Sequence, residues 1–339
     1  MATKFLSANA AASAAVWWTT SGGTTVTTAP TTGDDANLNT RTLTIDQTFT
    51  CDAIVGTTGS IVVSGNQTIN ANIGVASSQI GCTLSGSNQT VTVNGNIVTG
   101  SATKFTLNGA TTTLNVNGNI TGGSSVRGIL VTSGILNVVG NLIGGSSTGY
   151  AVGFTAGTID IVGNLTGGST GPAMGGISAG ANTITIAGAV SSGTGSGSGL
   201  TVNGGSGTCV ITGNVTGSSG SGTGSGVIVT AGTMAVTING NSTGGSSSND
   251  GANGVSVAAS TLTINGTVTG GSAAGNYGAS ITGGTLTITG DLVDSTSSAV
   301  SKQGGTLNYT PDANNTATIG TKVMYPTAGG GGYSRGRSI

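Results

Sequence analysis

The sequence predicts an all-β chain wound as a parallel β-helix, or β-solenoid, with about 22–27 residues per coil. Three observations predict it. Short runs alternate apolar and polar residues, as in LTING and LTITG, which is the period of a strand with one buried face. Each run ends on a glycine. The runs recur at a period in the twenties, the signature of a solenoid. Composition agrees. The chain of 339 residues carries 66 glycines and 5% charged residues. Strong helix formers are scarce while Thr, Val and Ile are common. Glycine lacks the three-residue period of collagen, and mean hydropathy of +0.23 with few charges excludes charge-rich disorder.

Residues 1–41 read as a separate docking or capping segment. Its opening, MATKFLSANAAASAAV, has a lysine and an Ala-x-Ala site. Ser7, Asn9 and Ser13 break the apolar core that a cleaved leader needs, which counts against one. Both tryptophans of the chain, Trp17 and Trp18, stand side by side in this segment. Two readings of the pair stand open. They plug the end of the first coil, or they insert into a partner as an anchor.

From Thr42 the alternation begins, and residues 42–310 read as the solenoid. Leu43 and Ile45, then Ile61 and Val63, make early irregular copies. The terminating glycines then fall at 95, 118, 140, 163, 188, 213, 240, 266 and 290. Aligned on them, the first inward column reads Val91, Leu114, Leu136, Ile159, Ile184, Cys209, Val236, Leu262, Leu286. The second runs from Val93 to Ile288 and is Val or Ile throughout. Two residues past each glycine comes a third apolar site, from Ile97 to Leu292. Of these 27 positions only Ser242 is not apolar. Each coil is expected to hold three strands of 3–5 residues, stacked on its neighbours at ~4.8 Å. Length varies only in Gly/Ser-rich segments after the third site, as loops on one edge would.

One polar column repeats directly after the glycine: Asn96, Asn119, Asn141, Asn164, Asn214 and Asn241. Asn tolerates left-handed backbone and can bond neighbouring amides, so a ladder at a coil corner is expected. Four Asn-x-Thr triplets, at Asn66, Asn119, Asn164 and Asn214, are expected from composition alone. After Leu307 the pattern dissolves. Residues 311–339 read as a Gly-rich tail in which Tyr333, Arg335 and Arg337 form a small adhesive group, either solvated or, the favoured reading, docked on a neighbour.

Few chemistries fit. There is no histidine, which excludes Ser-His-Asp and Cys-His devices and His-ligated zinc. Three cysteines cannot all pair, and Cys209 fills an inward position, so no disulfide framework is expected. Asp291 and Asp294 form the one carboxylate pair in the regular coils, and a polar end coil explains them better than an acid or metal site. The outward column from Thr92 to Thr287 mixes Thr, Asn, Asp and Val, which counts against the Thr-x-Thr array of an ice binder. Eight scattered Lys and Arg give no basic patch for nucleic acid, and no apolar run is long enough to cross a membrane as a helix. The expectation is no catalysis, no cofactor and no metal. A net charge of −1 favours self-association, and three short rods covering one another's edges would make a trimer.

The repeat LTINGTVTGGSAAGNYGASITGGTLTITGDL, with the opening VWWTT…APTTGDDANLNTRTLTID and the Gly-rich end, resembles virion structural proteins of tailed bacteriophages. These are short β-helical proteins that decorate capsids or form tail fibres and spikes; similar motifs occur in bacterial surface adhesins. The resemblance covers most of the chain. It implies a non-enzymatic virion component at the particle surface, most simply a capsid decoration protein of cement or head-fibre type. The partners implied are other virion proteins, the major capsid protein or tail proteins. The alternative is a tail fibre, spike or bacterial surface adhesin binding host glycans. Tailspike enzymes are larger and carry acidic pairs that this chain lacks.

Overall fold

In the computed structural model the chain is an all-β parallel β-solenoid of about ten turns. The structure describes residues 2–310, apart from 24, 75–79, 101–104, 125–126, 147–148, 169–170, 178–179, 221–223, 247–250, 273–274 and 294–297. Among these the helical structure is one 3₁₀ turn, Ala12–Ala14. Among the described residues no helix is long and apolar enough to cross a membrane. The chain divides into two compact units, Met1–Gly153 with Gly157–Gly163, and Phe154–Ala156 with Asn164–Ile339.

In the first unit three columns of parallel strands face a common core. One passes through Thr42–Ile45, Ser60–Val63 and Gly81–Leu84. The second brings Val91, Leu114, Leu136 and Ile159 into register, coil on coil. The third carries Ile97, Ile120 and Leu142. The expected short strands are uneven. Phe105–Asn117 and Ile129–Val139 run unbroken across two columns, whereas the third column has strands of only two residues. A two-residue strand suffices because its partners above and below supply the pairing that its length does not.

The second unit repeats the plan. Ile184, Cys209, Val236, Leu262, Leu286 and Leu307 stand in one register column. Val190, Val215, Ser242, Val268 and Leu292 stand in another. Leu200, Val227, Val255 and Ala279 head the third.

All 27 aligned inward positions are buried, none more than 4% exposed. Each fully buried aliphatic side chain contributes about 1.5–3 kcal/mol. Ser242 fits because its hydroxyl donates to the Gly254 carbonyl at 2.8 Å, so no polar atom is orphaned. The terminating glycines have a packing reason. A Cβ on Gly118 would fall on the carbonyl oxygen of Gly95, one on Gly140 on that of Gly118, and one on Gly240 on that of Gly213. Backbone of one coil sits where the side chain of the next would be.

The segment at 2–41 is part of the stack. Ala2–Leu6 pairs in parallel with Asp34–Asn37, and Ala10–Ala11 with the strand Thr42–Ile45. The ladder runs on across 41/42, and this end also carries antiparallel pairs, Trp17–Trp18 with Phe5–Leu6 and with Val26–Thr27. All three cysteines are free and buried.

Candidate interaction surface

The corner Asn column bonds coil to coil through one repeated contact. Asn72 Oδ1 accepts the backbone N–H of Asn96 at 3.0 Å, Asn96 Oδ1 that of Asn119 at 2.8 Å, and Asn119 Oδ1 that of Asn141 at 2.8 Å. The second unit does the same. Asn164 Oδ1 takes the N–H of Ala189, Asn214 Oδ1 that of Asn241, and Asn241 Oδ1 that of Thr267, all at 2.8–2.9 Å. The left-handed backbone expected here is absent. Positive φ outside glycine falls at Asn39, Asn88 and Ser260, none of them in the ladder. The side-chain acceptor alone accounts for the residue type. A second ladder joins amide to amide, Asn117 Nδ2 to Asn94 Oδ1 and Asn94 Nδ2 to Asn70 Oδ1, both at 2.7 Å. Of the Asn-x-Thr triplets, Asn119, Asn164 and Asn214 lie in the corner ladder, and Asn66 Oδ1 accepts the N–H of Thr90 at 2.7 Å.

The outward column is mixed in one unit and more regular in the other. Asn137 Nδ2 donates to Asn115 Oδ1 at 2.8 Å in the first. In the second, Thr237, Thr263 and Thr287 follow one another in register, after Val210. An aliphatic patch stands on the first unit, where Val139 and Val162 are register neighbours, 60% and 54% exposed.

The two tryptophans part company at the N-terminal end. Trp17 is 1% exposed and stacks on Phe49, ring centroids 6.2 Å apart. It plugs the core beside Leu6, its antiparallel partner. Its Nε1 has no hydrogen-bond partner among the described residues. Trp18 faces the other way, because successive residues of a strand point to opposite faces. It stands half-buried between Phe5 and Val26 on the neighbouring strands. The row continues through Asn37 to Val55, giving Val26, Trp18, Phe5, Asn37 and Val55 across one outer face. Val26 is 66% exposed. Tyr333, Arg335 and Arg337 lie outside the described residues.

Charges are sparse and mostly local. Lys4 Nζ sits 2.8 Å from Asp34 Oδ2 and also donates to Thr28 Oγ1 and the Ala29 carbonyl. Lys4's hydrogen bond, helped by Thr31, lowers the Asp34 pKa to about 2. Ser13 binds Asp46 through both its N–H and its hydroxyl and lowers that carboxyl too. Asp35 goes the other way, raised by desolvation and then by the Asp52 charge. Arg127 lies over the Tyr150 ring at 5.1 Å. Among the described residues no group of three Cys or Asp side chains gathers as a metal site. Of the pair Asp291 and Asp294, Asp294 lies outside the described residues.

No protein-family model matches the chain, and no curated protein or solved structure matches it.

Proposed function

We propose that this chain is a non-enzymatic structural component of a bacteriophage virion, a capsid decoration protein of cement or head-fibre type at the particle surface. One observation supports the reading most. The repeated polar side chains bond coil to coil, as the corner Asn ladders do, and so serve the stack itself. Attachment then falls to features outside the repeat, above all the end face carrying Trp18 and Val26. A structural protein needs such a division between a self-supporting scaffold and an attachment surface. Its partners are other virion proteins, the major capsid protein or tail proteins, and further copies of itself.

The test is particle association. Purified virions from a host carrying this coding sequence are banded by density and their proteins quantified. The chain is expected in fixed, multiple copies per particle. Its absence from banded particles would remove the reading.

A second reading, a tail fibre or surface adhesin binding host glycans, draws on the register column Thr237, Thr263 and Thr287. Binding of the isolated protein to a glycan array, lost on Thr263→Val with Thr287→Val, would favour it over decoration.

A further inference from the structure

We propose, resting on the reading of the N-terminal end as an attachment surface, that its outer face docks the C-terminal segment of a second copy of this chain, around Tyr333, Arg335 and Arg337. Three features of the face fit that occupant. The row Val26, Trp18 and Phe5 gives an aliphatic and aromatic strip three strands wide, against which a tyrosine ring packs. The strand Val26–Thr27 pairs with Trp17–Trp18 and with no other strand among the described residues. No further strand among the described residues covers the strip on that side, so a segment lying across the outer face reaches Val26 and Trp18 there and passes on towards Asp35.

Charge supplies the third. Asp35 and Asp52 stand half-buried beside the strip, and no Lys or Arg among the described residues pairs with either. Desolvation, and then the Asp52 charge, raise the Asp35 pKa. Residues 2–63 carry four acidic and two basic side chains. Residues 311–339 carry three basic and one acidic. The two ends are complementary, and a guanidinium is the partner that a carboxylate takes with two hydrogen bonds. Tyr333, Arg335 and Arg337 are spaced by two, so in an extended segment all three lie on one side. A net charge of −1 opposes no approach between copies. Because cap and tail are different surfaces, the contact is heterologous, and it propagates into chains of copies or closes into a ring.

The experiment is sedimentation velocity of the full-length protein across a concentration series, at low and at physiological salt. Wild type is expected to form concentration-dependent oligomers that weaken as salt screens the contact. Arg335→Glu with Arg337→Glu, and separately Asp35→Lys with Asp52→Lys, should each weaken association at least about tenfold through like-charge contact. Combining the two sets should restore it. Trp18→Ser should weaken it without altering the salt dependence. Circular dichroism checks folding; should the Asp variant misfold, the tail variant and Trp18→Ser decide. Wild type that stays monomeric throughout, or association unmoved by Arg335→Glu with Arg337→Glu, overturns the assignment. Self-association by a protein absent from purified particles would remove the virion reading alone. A particle-bound protein that does not self-associate would remove this one alone.

Discussion

The side-chain oxygen of Asn119 accepts the backbone N–H of Asn141, one coil further on, at 2.8 Å. The same contact recurs from Asn72 to Asn119 and again from Asn214 to Thr267. Asn119→Ala removes that acceptor and should cost about 1 kcal/mol, the net worth of one hydrogen bond. Asn119→Asp keeps an acceptor in the same place and should cost less. Denaturant unfolding of the two variants checks the order; an alanine variant as stable as wild type would make the ladder ornamental.

The corner glycines should be far less tolerant. Gly140 has φ +152°, and a Cβ there would meet the Gly118 carbonyl oxygen. Gly140→Ala is expected to destabilise by about 1–3 kcal/mol through forced separation of the coils. Gly33→Ala is the control, since nothing lies within 4 Å of its added Cβ. Thermal melts of the pair should differ in that direction.

Acid should loosen the N-terminal end first. Lys4 holds the Asp34 pKa at about 2, below the ordinary value of 3.8. A depressed folded-state pKa adds stability above the unfolded value, and that stability is lost as pH falls through the folded one. Wild type should therefore lose stability between about pH 4 and pH 2. Lys4→Ala should lower the melting temperature at pH 7 and flatten that acid limb. A variant with an unchanged acid limb would place the pH dependence elsewhere.

The thiols should be silent in the native state. Burial pushes the Cys51, Cys82 and Cys209 pKa values up to about 12. A thiol reagent at pH 8 should label none of them until the chain is unfolded, and then all three. The same shift has an alkaline consequence. A raised folded-state pKa adds stability below the unfolded value, and it is lost as pH rises through the folded one, here from about 9 towards about 12. Rapid labelling of Cys209 in folded protein would contradict its place in the core.

The repeat was readable because a coil stacked on both sides must keep the same three inward positions apolar, whatever the length of its loop. That constraint holds from Val91 to Leu292. The glycine marker was readable as punctuation, but its cause was not, since the carbonyl that excludes a side chain belongs to a different coil. Ser242 broke the pattern because its acceptor, Gly254, lies in irregular sequence twelve residues on. Residues 1–41 carry no copy of the repeat because an end coil has a neighbour on one side only. It closes with an antiparallel pair in place of a repeat. Trp17 and Trp18 looked equivalent for the same reason. Strand alternation sets them on opposite faces, yet only the pairing of Trp17 with buried Leu6 says which one is inside. That division moves the candidate attachment surface from the tryptophan pair to Trp18, Phe5 and Val26.

Imaging of whole particles tests the central claim most directly. Averaged cryo-electron images would be compared for virions made with and without this chain, the former carrying a gold-labelled tag on the protein. The account predicts label and added density at repeated positions on the particle surface, both missing from particles made without the chain. Identical particles in the two preparations, with the label confined to host material, would contradict it.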